Sequence, residues 1–76
     1  MSKAEMLMEY TTQDVVSWIM DEEGLGMEDA LDRFYSSVTF EKLTDRETGL
    51  YLDAPASIYC LYKDEQAAGE FAQNEV

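Results

Sequence analysis

The chain has no histidine among its 76 residues, one cysteine, one proline and only five basic side chains. Each shortage excludes something. Without histidine there is no Ser-His or Cys-His nucleophile pair and no usual zinc ligand set. A lone Cys60 rules out an intrachain disulfide and a thiolate metal cluster, and it fits a reducing compartment. There is no glycine-rich phosphate loop, because Gly24-Leu25-Gly26 lacks the further glycine, the lysine and the preceding strand. No run of about 18 apolar residues suggests a membrane span, and the N-terminus lacks the apolar stretch of a signal peptide. Beginning at Met1, the chain is expected to be complete and cytoplasmic.

Acid is what the chain has in abundance. Seventeen Asp and Glu residues against five Lys and Arg give a net charge of -12. Such a field disfavours phosphate backbones and anionic membrane leaflets, and favours basic proteins, cationic ligands and divalent metals. Self-repulsion also opposes compactness. Yet 46% of the residues are hydrophobic, with one Trp, five Tyr and three Phe. That is too apolar for a disordered acidic tail. One folded domain near the lower size limit for independent stability is expected.

The apolar spacing is helical. Leu7, Thr11, Val15, Trp18 and Ile19 recur at steps of three or four between Ala4 and Glu23, with Met8, Val16 and Met20 widening the face. Gly24 supplies a left-handed stop. A second helix is predicted from Met27 to Ser36 or Ser37, with Ala30, Leu31, Phe34 and Tyr35 as its stripe. Ser36-Ser37 then caps a short third helix through Phe40 and Leu43. Thr44 to Gly49 reads as a turn. Pro55 opens a last helix behind Asp53 or Ala54, with Ile58, Tyr59, Leu61 and Tyr62 inward. The fold expected is all-α, a small bundle of three to four helices over residues 1–68. Residues 69–76 are expected as a frayed tail, with Phe71 able to dock back. The alternative is α+β, with a short hairpin at residues 50–62.

The densest run of charge is Asp21, Glu22, Glu23, Glu28, Asp29 and Asp32, with no basic residue before Arg33. It is the candidate partner-binding patch; the plain alternative is a solvated pair of helix ends. Glu28 and Asp29 suit the start of a helix, whereas Asp21 to Glu23 near a C-terminus oppose the helix dipole. An EF-hand starting at Asp21 fails, with Leu25 at the fifth position and a short Asp32 at the twelfth. Asp29 and Asp32 could pair for acid–base chemistry, but so small a domain rarely supplies a sugar-sized cleft. Cys60, among Ile58, Tyr59 and Leu61, reads as a buried, inert thiol. Trp18, Phe34 and Tyr59 are assigned to the core, and Tyr51 is the preferred exposed aromatic for a partner.

The second half of the chain, through Phe34-Tyr35, Phe40 to Leu43, Thr48-Gly49-Leu50-Tyr51-Leu52, Pro55 and Ile58-Tyr59, carries a resemblance. It resembles short helical bacterial proteins encoded beside toxin-like, ADP-ribosyltransferase-like reading frames. That resemblance implies a small helical partner or antitoxin-like role, and brings no catalytic residue with it. The residues themselves point to an acidic protein–protein interaction module that covers a basic partner surface; with the resemblance, it is expected to be antitoxin-like or an accessory subunit. No enzyme activity, cofactor, metal, membrane or direct nucleic-acid binding is expected. Two alternatives remain. One is a self-associating structural protein with Val15, Val16, Ile19 and Met20 at its seam; the other is a DNA mimic, which needs its acids along one extended face.

Overall fold

Ser2 opens the first helix by accepting a hydrogen bond from the Glu5 N–H at 3.2 Å, satisfying one of the free donors of the first turn. The computed structural model describes the backbone of residues 2–75 and the side chains of residues 2–69. Helix α1, Lys3–Glu23, buries Met8, Thr11, Val15, Val16 and Ile19 and stops at Gly24, whose φ of 65° is left-handed. Gly26 then caps α2, Met27–Tyr35, which buries Ala30 and Phe34 one turn apart. Ser37 joins α2 to α3, Val38–Thr44. Its hydroxyl donates to the Phe34 carbonyl and accepts from the Phe40 N–H at 3.1 Å, so one side chain closes one helix and opens the next.

Two 3₁₀ turns follow, Arg46–Thr48 and Leu50–Leu52, meeting at Gly49 with φ 68°. The Thr48 hydroxyl donates to the Lys42 carbonyl at 2.6 Å and accepts from the Leu50 N–H at 3.2 Å, which ties the turns to the end of α3. Helix α4, Pro55–Glu75, begins with the Ala54 carbonyl accepting from the Ser57 and Ile58 N–H groups. Pro55 therefore stands at the first helical position, where its missing N–H costs nothing. There is no strand among the described residues, and the fold is the expected all-α bundle rather than one with a hairpin.

Phe34 is the centre of the core. Its ring meets Phe40 and Tyr62 edge-on, with centroids 5.4 and 5.9 Å away. Val15, Val16 and Ile19 from α1, Leu43 from α3 and Ile58 from α4 complete the buried cluster. Of the side chains assigned to this core, Trp18 and Tyr59 are half-buried at its edge.

Four expectations for residues 50–76 need correction. Cys60 is exposed, not buried, because two residues turn a helix through about 200° and set it opposite Ile58 and Tyr62. Leu61 is 42% exposed on the flank of the same face. Tyr51 is half-buried against the core rather than exposed, since the 3₁₀ turn folds it back onto the bundle. Helix α4 also continues through Gly69, where a fade was expected, to Glu75; one glycine inside a helix costs only about 1 kcal/mol. The docking of Phe71 concerns a side chain outside those described.

Candidate functional site

The acidic run folds into one corner, where α1 ends, the chain reverses over Gly24–Gly26, and α2 begins. Within it the carboxylates divide into two kinds. Glu22 accepts from Lys63 Nζ at 2.8 Å and from the Tyr59 hydroxyl. Glu23 pairs with Arg33 Nη1 at 2.6 Å through one oxygen and accepts from the Tyr62 hydroxyl at 3.3 Å through the other. Lys63 also lies 5.6 Å over the Tyr59 ring, and the Trp18 ring packs against Tyr59 at a tilt, with centroids 5.4 Å apart. The two glutamates, Arg33, Lys63 and the two tyrosines line a shallow cavity of about 260 Å³ with Gln66 and Ala67.

The protonation states follow from the pairing. The hydrogen bond from Lys63, then that from Tyr59, holds the Glu22 carboxyl below its ordinary range, and the same bond raises Lys63. Burial, then the hydrogen bond to Glu22, pushes the Tyr59 hydroxyl far up. Burial, with the Glu23 charge behind it, pushes Tyr62 up to about 12. Both tyrosines are therefore protonated donors at neutral pH. The arrangement is a clamp that fixes α4 against the α1–α2 corner. It also answers the misplaced acids at the end of α1, since Lys63 and Arg33 supply the cations that a helix C-terminus prefers.

Asp21, Glu28, Asp29 and Asp32 are the other kind. All four are exposed, and none makes an ion pair among the described residues. Asp29 and Asp32 stand one turn apart beside Leu25, Arg33 and Ser36 in an open depression of about 470 Å³. So the fold brings five of the predicted acids around the Gly24 corner beside Asp21, and leaves Tyr51 elsewhere, in the Leu50–Leu52 turn.

Two features escaped the sequence reading. Glu65 on α4 accepts from the Val38 N–H, the Thr39 N–H and the Thr39 hydroxyl, each at 2.8 Å, and so caps α3 from a distance. A side chain 26 residues away from Thr39 leaves no local cap signature. The second is an apolar groove of about 630 Å³ between α1 and α2, floored by Val16 and walled by Met20 and Leu31. Met27 and Tyr35 stand on its rim, 62% and 51% exposed. The spacing of Met27, Leu31 and Tyr35 at four-residue steps marks this stripe in the sequence, beside the buried Ala30 and Phe34.

No three acidic or thiol side chains among those described converge to hold a metal ion. No helix of the described residues is long and apolar enough to cross a membrane. No protein-family model matches the chain, and no curated protein or solved structure matches it either.

Proposed function

We propose that this chain is a small acidic protein–protein interaction module that docks on a basic partner surface, as an antitoxin-like protein or an accessory subunit. One observation carries the reading. Asp21, Glu28, Asp29 and Asp32 project from a single corner with no ion pair among the described residues, the nearby Arg33 being held by Glu23, while Glu22 and Glu23 are consumed by the clamp. The fold uses these charges little: Glu28 and Asp29 favour the start of α2, while Asp21 and Asp32 gain no such position, and all four repel one another. A partner with the opposite charge would convert that cost into attraction, most of it felt as a faster encounter. Binding rather than catalysis is also supported by the tyrosines, whose hydroxyls are already committed to Glu22 and Glu23. The resemblance of the second half to proteins encoded beside toxin-like frames supports the antitoxin-like form. A reducing, cytoplasmic location belongs to the same reading, supported by the exposed free thiol of Cys60.

The test is a tagged pull-down from the source cell, washed at low and high salt, with the wild type and an Asp21→Asn/Glu28→Gln/Asp29→Asn/Asp32→Asn variant. A basic protein retained in stoichiometric amount by the wild type and depleted from the variant is expected. Equal recovery of the same partners by both proteins would contradict the proposal.

A further inference from the structure

We propose that the groove between α1 and α2 receives the apolar face of a basic amphipathic helix from the partner. This rests on the reading of the chain as an acidic interaction module, and it names the surface and the partner element.

The dimensions suit a helix. From Met27 to Tyr35 the rim runs the nine residues of α2, eight helical rises or about 12 Å along its axis. Anchors at i, i+4 and i+7 of a docking helix span about 10.5 Å, so two turns of such a helix match the trough. The lining suits apolar anchors: Val16 forms the floor, Met20 and Leu31 the walls, and Met27 and Tyr35 the rim. Methionine is adaptable enough to fit side chains of varied shape.

Charge selects the occupant. Glu9 lines the groove, and no basic residue does. Glu28 and Asp32 lie on the α2 surface next to Leu31 and Tyr35, by helical position, and are exposed without ion pairs among the described residues. A helix with leucine-like anchors and Lys or Arg on its flanks would meet acid beside the groove. A second copy of this chain, itself at net charge -12, would bring acid against acid. The other apolar trough, between α3 and α4, differs in this respect. Lys42 lines it and offsets the charge of Asp64, and the Glu65 carboxylate there is spent on the start of α3.

The probe is a synthetic Leu/Lys amphipathic helix, compared with a scrambled peptide of the same composition. Binding is read by fluorescence anisotropy and by the methyl resonances of ¹³C-methionine-labelled protein. The amphipathic peptide is expected to shift the methyls of Met20 and Met27 and leave that of buried Met8 in place. It should bind about tenfold more tightly than the scrambled one. Met27→Ser/Tyr35→Ser, with both side chains more than half exposed and folding checked by circular dichroism, should remove about that same factor. Leu61→Ser, on the α3–α4 side, should remove none. Equal binding of both peptides, unchanged by Met27→Ser/Tyr35→Ser, overturns the groove and leaves the acidic module standing. Absence of binding by either peptide at low salt overturns both. A dilution-dependent dimer that buries Met27 assigns the groove to self-association and overturns the proposal.

Discussion

Glu65 caps the first turn of α3 from the far side of the bundle, and its replacement has calculable consequences. Burial pushes its carboxyl up, but the Val38 and Thr39 N–H groups and the Thr39 hydroxyl outweigh that, and the net effect is a lowered pKa. Glu65→Ala should cost about 1–2 kcal/mol in urea unfolding, with faster amide exchange at Val38 and Thr39. Because its folded pKa is depressed, this contribution is present above the ordinary carboxylate pKa and is lost as pH falls through the folded value. The stability gap between wild type and Glu65→Gln should therefore close as pH falls below the ordinary carboxylate range. Tyr62 has the opposite sign. Its pKa is raised to about 12, so its contribution is intact below the ordinary tyrosine value of 10.0 and is lost as pH climbs toward 12. Tyrosinate absorbance in an alkaline titration should show this group ionising together with loss of helical circular dichroism. A Tyr62 that ionises near pH 10 with the helices intact would contradict the buried pairing.

The joints between helices make different demands on the two glycines that flank Leu25. Gly24 sits at φ 65° with open space around it, so Gly24→Ala meets only the backbone penalty, about 1 kcal/mol. Gly26 sits at φ -72° and caps α2 without a side chain, so Gly26→Ser should be neutral or stabilising by a few tenths of a kcal/mol. Thermal unfolding of the two variants should separate them in that order. This level of the structure was the most legible in the sequence, because Gly24, Ser37 and Pro55 are local signals that act on their own backbone. The facing of residues within α4 was less so. In the run Ile58 to Tyr62 every residue but Cys60 is a large apolar or aromatic side chain, and only packing decides that Ile58 and Tyr62 turn inward while Leu61 does not. The clamp was not legible at all. Its cations come from 10 residues away for Glu23 and 41 for Glu22, so the run of acids reads as uniform when it is in fact divided.

Across the whole molecule, 17 acidic groups share a body of about 42 × 27 × 18 Å. At 0.01 M salt the Debye length of about 30 Å lets most of them repel one another, and at 0.15 M it falls to about 8 Å. The melting temperature should therefore rise with added salt over that range. The Asp21→Asn/Glu28→Gln/Asp29→Asn/Asp32→Asn variant should melt no lower than the wild type, while Glu22→Gln/Glu23→Gln should melt lower because it releases α4 from the corner. The charge of the molecule was evident from composition and its helical class from apolar spacing; which acids are ion-paired and which are not required the fold. The most direct test of that division is the association rate with the captured partner, measured by stopped flow at low and high salt for the wild type and the four-site variant. The account predicts that the wild type associates about tenfold faster at low salt and that the two rates converge at high salt. Equal rates at low salt would contradict it.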